Sequence, residues 1–202
     1  MHADPVAPQA LPGLLAAVID GHGPALVIVA IDGAPPTRPE QVAAAVVAEL
    51  RLLGRPAVTV NADDFLRPAS VRLERGRYDH LAYRSDWLDA AALSREVLDP
   101  FAATGRYLPS LRDPARDRAT RAQPEDTSPG AVLLVAGPLL LDKGLAFDLT
   151  VHLSLSAAAL TRQSDASLAW SLPAYDGYPG GLRPDVVVRL DDPRHPAVIR
   201  RS

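Results

Sequence analysis

The feature that most constrains this sequence is the segment 25–53, in which a run of strand type, a short loop and a helix follow one another. Residues 25–31 form a continuous apolar run rich in β-branched side chains, which is typical of a parallel strand covered on both faces. Residues 41–53 place apolar side chains at helical spacing and predict an amphipathic helix. A strand, a tight loop and a helix in this order form the unit in which α/β proteins bind phosphate.

Further runs of strand type alternate with helical stretches along the chain. The strand runs are residues 57–60, 131–136, 149–155 and 185–190, and the other helices are predicted over 11–19, 86–98 and 156–163, the last with Ser156 as N-cap. This alternation predicts an α/β fold with a doubly wound, five-stranded, mostly parallel sheet and helices on both faces. Ligands of such sheets bind at the carboxyl ends of the strands. We therefore expect residues 32–33, 61–65 and 136–137 to lie together at one edge.

The length and composition indicate a single globular domain. A chain of 202 residues can bury a substantial core, and its 48% hydrophobic and 22% charged residues are ordinary values. We treat residues 1–202 as one domain. Within it we expect residues 1–9 to form a flexible N-terminus, because they are polar and contain proline. Residues 113–130 are charged and poor in large apolar side chains, so we expect an exposed loop.

The composition also excludes several classes of function. The chain has no cysteine, which excludes disulfides, thiolate metal sites and cysteine nucleophiles. Its five histidines are scattered without metal-ligand spacing, and its net charge of −3 gives no reason to expect nucleic-acid binding. We find neither a signal-peptide pattern nor an apolar run long enough to cross a bilayer, so we expect a cytoplasmic protein without membrane partners.

Several segments resemble, in order, the uridine kinase-like branch of the P-loop nucleoside kinases. They are residues 29–33, 63–68, 75–79, 86–89, 133–137 and 185–193. The resemblance extends over most of the chain and rests on order and spacing, because no single segment is strongly specific. It implies a P-loop NTPase fold and phosphorylation of a nucleoside 5′-hydroxyl, with ATP or GTP as the phosphoryl donor and Mg²⁺ as the metal.

The phosphate loop keeps the spacing of that family but not its chemistry. In the pattern Gly-x₄-Gly-Lys-Ser/Thr, Gly33 stands at the first position. Arg38, Pro39 and Glu40 then stand where the second glycine, the lysine and the magnesium-binding hydroxyl belong. The loop also contains Pro35 and Pro36, and proline has no N–H with which to bind phosphate. We therefore interpret the Walker A loop as degenerate.

The residues that replace the motif suggest a self-contained helix start. Thr37 as N-cap with Glu40 at the third helical position would form a capping box, and proline is well tolerated in the first turn. If the loop still binds a nucleotide, the candidate residues are Gly33, Thr37 and Arg38. Two other parts of the triphosphate site that the resemblance implies are missing or shortened. Ala136 stands where the resemblance implies an acid, and residues 164–182 look like a shortened lid.

The acceptor side of the site is better preserved. The resemblance implies that Asp63 is the general base, and it implies substrate-binding roles for Asp64, Asp79, His80, Tyr83 and Arg116. Structural roles are the alternative: turn and cap chemistry for the two aspartates after the second strand, and an ordinary surface loop for residues 79–83. No residue set in the sequence predicts a metal site.

Three functions remain open. The leading hypothesis is a pseudokinase that has lost ATP binding and phosphoryl transfer but still binds a nucleoside-like small molecule or a protein, and for which no cofactor is expected. The second is an active uridine- or cytidine-type nucleoside kinase that uses ATP and Mg²⁺, with Arg38 or Lys143 replacing the missing lysine. The third is a regulatory or structural module that forms a homodimer, motivated by the aromatic loop at residues 175–181.

Overall fold

The computed structural model describes residues 3–200. At its centre lies a sheet of seven strands. In chain order the strands are β1 (Asp4–Pro5), β2 (Val27–Gly33), β3 (Ala57–Asn61), β4 (Val132–Gly137), β5 (Leu149–Ser154), β6 (Val186–Arg189) and β7 (Ala197–Arg200). Their spatial order is β1-β7-β6-β5-β2-β4-β3. The run from β6 to β3 is parallel, whereas β7 and β1 are antiparallel additions at one edge.

The predicted α/β class with a mostly parallel sheet is confirmed, but the predicted number of five strands is wrong. The five predicted runs all form parallel strands, and β1 and β7 are the two that the prediction missed. Strands this short carry little readable alternation, and they form because the edge of β6 offers hydrogen-bond partners to β7, which in turn offers them to β1. Within the segment 1–9, expected to be flexible, Asp4–Pro5 thus pairs with β7; Met1 and His2 lie outside the described residues.

The helices cover both faces of the sheet. They are α1 (Leu11–Asp20), α2 (Pro39–Leu52), α3 (Ala69–Arg72), α4 (His80–Ser85), α5 (Ala90–Leu93), α6 (Asp99–Thr104) and α7 (Ala157–Gln163). On one face, Val29 and Ile31 of β2 pack with buried residues of α1 and α2. On the other face, Ile28 packs with Phe101 of α6. Successive side chains of β2 therefore pack into two different cores, which is why the strand is apolar from Val27 to Ile31.

Two of the predicted helices change in extent or form. The helix predicted over 86–98 begins only at Ala90, after Asp89 caps its first turn by accepting a hydrogen bond of 2.9 Å from Ala92 N–H. It continues through a π-helical turn, Ser94–Leu98, into α6. The N-cap predicted for the last helix is present, because Ser156 Oγ accepts a hydrogen bond of 3.3 Å from Ala159 N–H at the start of α7.

The segments expected to be loops contain short regular elements. Within or beside 113–130, Arg112–Asp113 pairs with Arg118–Ala119, and Glu125–Asp126 pairs with Arg106–Tyr107. The lid-like segment, residues 164–182, contains a 3₁₀ helix, Ala166–Tyr175. In the described part of the chain, no helix combines the length and the apolar character needed to cross a membrane.

Arg55 fixes the end of the sheet that lies opposite the candidate site. Its guanidinium is 7% exposed and donates hydrogen bonds to the carbonyl oxygens of Asp20, Ala25 and Gly130 at 3.1, 3.0 and 3.2 Å. A further contact of 3.2 Å joins it to the Asp20 carboxylate. Arg55 thus satisfies a carbonyl at the end of α1 and ties that end to two loops.

Candidate functional site

The carboxyl ends of the parallel strands border a cavity of about 470 Å³. It lies between the start of α2, the turn after β3, helix α4 and the turn after β4. Its lining includes the side chains of Glu40, Asp63, Tyr83, Trp87 and Lys143. This is the edge at which the sequence placed the site, and we refer to this space as the acceptor cavity.

Asp63 stands on a 3₁₀ turn, Ala62–Phe65, directly after β3. The side chain of Asn61 shapes this turn by accepting a hydrogen bond of 3.1 Å from Asp63 N–H. Although Asp63 is accessible from the cavity, the surrounding protein desolvates its carboxylate, and repulsion from Glu40 adds to that effect. Both raise the pKa of Asp63 above its ordinary value, while Arg72 opposes the rise. A carboxylate with a raised pKa is suited to accept a proton.

Aromatic side chains form a wall of the acceptor cavity. The rings of Tyr83 and Trp87 meet edge to face at 5.1 Å, and Trp170 lies 5.5 Å from each of them. The Tyr83 hydroxyl shares a hydrogen bond of 3.0 Å with the Tyr175 hydroxyl. Burial raises the pKa of Tyr83 to about 12, so the phenol stays neutral at physiological pH. The wall is therefore mainly aromatic, and it also contains the buried indole N–H of Trp87, which has no hydrogen-bond partner among the described residues.

The ammonium group of Lys143 lies at the cavity, but it already has two partners within the protein. Its ammonium donates a hydrogen bond to the carbonyl oxygen of Arg84 and lies 3.3 Å from the Asp142 carboxylate. The same carboxylate accepts a hydrogen bond of 3.1 Å from Arg84 Nε. The carboxylates of Asp63 and Glu40 therefore dominate the charge of the cavity.

The other predicted substrate-binding residues do not line this cavity. Asp79 is the N-cap of α4, where its carboxylate accepts hydrogen bonds from two backbone N–H groups at 2.9 Å, and His80 is the first residue of that helix. Asp64 is half-buried beside Asp63, and burial followed by repulsion from that neighbour raises its pKa. Arg116 is largely exposed and contacts Asp113 at 3.4 Å. Of the predicted acceptor-side residues, the structure thus brings Asp63 and Tyr83 together.

The loop after β2 closes on itself. Residues Pro35–Thr37 form a 3₁₀ turn in which Thr37 Oγ1 donates a hydrogen bond of 2.7 Å to the Ala34 carbonyl. Thr37 is 7% exposed, and its hydroxyl occupies the place that a Cβ on Gly33 would need. The N–H groups of Thr37 and Arg38 donate to the carbonyls of Ala34 and Pro35 at 2.8 and 3.0 Å. The Thr37 side chain therefore folds back against Gly33.

The predicted capping box at the start of α2 is not formed. The N-cap is Arg38, which has a left-handed conformation with φ 51° and makes no side-chain capping bond, and the helix begins at Pro39. Thr37 cannot act as the cap because its hydroxyl turns back to Ala34. Proline at the first helical position agrees with the sequence analysis. Arg38 and Thr37 line a separate groove of about 950 Å³ on the other side of the loop, together with Arg162.

A buried carboxylate that the sequence analysis did not select lies at the end of β2. Asp32 is completely buried, and its Oδ1 accepts hydrogen bonds from Leu140 N–H at 2.8 Å and from the Tyr178 hydroxyl at 2.7 Å. Its Oδ2 lies 2.7 Å from Nδ1 of His152 on the neighbouring strand β5. Asp32 and His152 interrupt apolar strand runs, and that interruption was the signal available in the sequence.

The lid-like segment is fastened to the rest of the domain by several hydrogen bonds. Arg84 Nη1 donates to the carbonyls of Ala174 and Asp176 at 3.2 and 3.1 Å. Tyr178 also accepts a hydrogen bond of 2.9 Å from Leu141 N–H. Tyr175 and Tyr178 are half-buried and use their hydroxyls inside the protein, and the homodimer suggested by this loop stays a prediction.

The strand order, the loop between β2 and α2 and the lid-like segment above it define a uridine kinase-like P-loop kinase fold. A protein from Bacillus stearothermophilus described as a possible uridine kinase superposes with a TM-score of 0.73 at 18% identity, covering 89% of this chain and 97% of that one. A protein from Silicibacter sp. TM1040 assigned as a fructose transport system kinase gives 0.58 at 22% identity, covering 85% and 88%. No protein-family model and no curated protein matches the sequence.

Proposed function

We propose that this kinase-like domain neither binds ATP nor transfers phosphoryl groups, and that it binds a nucleoside-like small molecule in the acceptor cavity. The observation that carries the proposal is the position of the Thr37 hydroxyl over Gly33. A P-loop holds phosphate through backbone N–H groups that surround an empty centre. Here the Thr37 hydroxyl lies against Gly33, and the N–H groups of Thr37 and Arg38 are bonded to carbonyl oxygens of the same loop.

The chemistry around the loop supports the same conclusion. Pro35, Pro36 and Pro39 supply no N–H groups, and the carboxylate of Glu40 would repel a triphosphate. At the end of β4, the position of an expected acid is held by Ala136, which is 1% exposed. These residues do not fit Mg·ATP, so we derive no phosphoryl-transfer step.

The acceptor cavity has the properties of a small-molecule site. Its volume of about 470 Å³ lies in the range of ligand pockets, which are mostly apolar with a few oriented polar groups. Tyr83 and Trp87 offer aromatic surface on which a planar ring can pack. Asp63 offers a hydrogen-bond acceptor for hydroxyl groups, and its position after β3 is fixed by Asn61.

The first part of the proposal is tested by calorimetry with Mg·ATP, followed by a coupled assay of ADP release in the presence of uridine, cytidine and fructose. We expect no heat of binding at millimolar Mg·ATP and no turnover above the background of an Asp63→Asn variant. Micromolar Mg·ATP affinity with turnover that disappears in Asp63→Asn would overturn it.

The second part is tested by tryptophan fluorescence, because the chain has two tryptophans and both belong to the aromatic wall. We expect uridine or cytidine to change the emission, and the change to persist in Trp170→Phe but to vanish in Trp87→Phe, since Trp87 lines the cavity. Binding in the acceptor cavity would be contradicted if no nucleoside alters the emission and the amide NMR signals around Asp63 stay unshifted.

An active kinase remains the second candidate, because Asp63 and Lys143 line the same cavity. In this alternative Asp63 would be the general base and Lys143 would be the nearby cation. Lys143 would first have to leave Asp142 and the carbonyl of Arg84. The assay described above separates the candidates: nucleoside-dependent ADP release that falls in both Asp63→Asn and Lys143→Met supports the active kinase.

A further inference from the structure

A smaller pocket of about 240 Å³ lies apart from the acceptor cavity and from the groove lined by Arg38. It is bordered by Ala34 of the closed loop, by the start of α7 and by the last part of the lid-like segment. Leu155, Leu160 and the rings of Tyr175 and Tyr178 contribute most of its walls. His152 reaches the pocket from β5, and within residues 3–200 we find no other imidazole in its lining.

His152 presents one ring nitrogen to this pocket. The residue is 8% exposed, and its Nδ1 lies 2.7 Å from the carboxylate of Asp32. In the neutral form of the imidazole we assign the proton to Nδ1, because the ionised carboxylate opposite it can only accept a hydrogen bond. Nε2 then carries the lone pair, and it has no hydrogen-bond partner among the described residues.

We propose that this pocket, the His152 pocket, binds a small aromatic alcohol or phenol whose hydroxyl donates a hydrogen bond to Nε2. The apolar walls take the ring, and Asp32 fixes the orientation of the acceptor. The proposal concerns a site separate from the acceptor cavity and does not depend on the function proposed for that cavity.

The mouth of the pocket adds a preference for charge. Asp176 lines it and is exposed, and within residues 3–200 its carboxylate forms no ion pair. A positively charged substituent on the ligand is therefore attracted at this end, and a negatively charged one is repelled. The expected ligand class is a phenol or aromatic alcohol with a neutral or cationic substituent, such as an aryl amine with a ring hydroxyl.

Three matched probes test the proposal at pH 8: tyramine, phenethylamine, which lacks the hydroxyl, and 4-hydroxyphenylacetate, which replaces the ammonium with a carboxylate. Long-range ¹H–¹⁵N NMR follows Nε2 of His152 during each titration. We expect tyramine to shift this resonance and to bind about tenfold more tightly than phenethylamine, because a single hydrogen bond separates the two probes. We expect 4-hydroxyphenylacetate to bind more weakly than tyramine.

Two variants locate the effect. His152→Asn keeps an N–H donor for Asp32 but removes Nε2, so tyramine should lose its advantage over phenethylamine. Asp176→Asn should reduce the preference for tyramine over 4-hydroxyphenylacetate. Equal affinity of the wild-type protein for tyramine and phenethylamine would overturn the proposal, as would an unmoved Nε2 resonance. Loss of tyramine binding in Asp63→Asn, with His152→Asn unaffected, would also overturn it by placing the probe in the acceptor cavity. If His152→Asn does not fold, the wild-type comparison alone decides.

Discussion

The phenol of Tyr178 donates a hydrogen bond of 2.7 Å to the buried carboxylate of Asp32, across a separation of 146 residues. This bond joins the lid-like segment to the end of the central strand β2. The same hydroxyl accepts the N–H of Leu141, so one side chain connects three parts of the candidate site. The lid-like segment is therefore a packed wall of the domain.

The first prediction concerns this connection. Tyr178→Phe removes one donor from Asp32 and the acceptor of Leu141 N–H, so we expect it to lower the free energy of unfolding by about 1–3 kcal/mol. Urea denaturation measures the change. The matched control is Tyr78→Phe, because Tyr78 is 65% exposed, and it should change stability by less than about 0.5 kcal/mol. Equal effects of the two variants would show that the bond to Asp32 contributes nothing.

The second prediction concerns the closed loop. In Gly33→Ala the new methyl group would lie 2.8 Å from Leu153 Cβ and would collide with the Thr37 hydroxyl, so we expect a loss of about 1–3 kcal/mol. Thr37→Ala removes one of the two obstacles. We therefore expect Gly33→Ala/Thr37→Ala to be less destabilised than the sum of the single variants.

The control for the loop is Gly13→Ala in α1. Its new methyl group would meet Glu49 Oε2 at an ordinary 3.6 Å, and alanine favours a helix over glycine by roughly 0.5–1 kcal/mol. Stability should therefore stay the same or rise. Strict additivity of the Gly33 and Thr37 effects would show that the hydroxyl does not fill the space over Gly33.

The third prediction is a pH dependence at Asp63. Since the folded state raises the pKa of this carboxyl, its contribution to stability is most favourable below the unfolded value of 3.8 and is lost as pH rises through the folded-state pKa. At pH 7 the ionised group therefore destabilises the fold. We expect Asp63→Asn to melt at a higher temperature than the wild-type protein at pH 7, with the difference shrinking toward pH 4.

Thermal melts at a series of pH values measure this difference, with Glu74→Gln as a control at an exposed carboxylate. The control should follow the wild-type curve. A lower melting temperature of Asp63→Asn at pH 7 would mean that the ionised carboxylate stabilises the fold, contrary to the direction of its pKa shift.

The fourth prediction concerns Arg55. Lysine cannot reproduce the planar arrangement of donors that reaches the carbonyls of Asp20, Ala25 and Gly130, so Arg55→Lys should destabilise the protein by about 2–3 kcal/mol. Arg51→Lys is the matched control: this exposed arginine donates one hydrogen bond of 2.9 Å, to Ala57 O, and its loss should cost less than about 1 kcal/mol. Urea denaturation measures the free energy of unfolding of both variants. A smaller loss in Arg55→Lys than in Arg51→Lys would contradict the role assigned to Arg55.

Part of the candidate site could be read from the sequence. Asp63 follows a run of strand type, and the carboxyl ends of parallel strands meet at one edge, so its place on the rim was predictable. Tyr83 was selected by resemblance and does line the cavity. Asp79 was selected in the same way, but its carboxylate caps α4, because two free N–H groups at the helix start lie closer to it than the cavity does.

The sequence by itself determined the buried strands and showed that residues 38–40 differ from the P-loop pattern, because periodicity and residue type are local properties. Only the tertiary structure decided that Thr37 fills the space over Gly33, since its hydroxyl could equally have capped α2. The structure also decided that Asp32 takes its partners from His152 and Tyr178. A buried carboxylate must be satisfied by whichever donors the fold brings near, and contacts between distant segments leave no periodic signal in the chain.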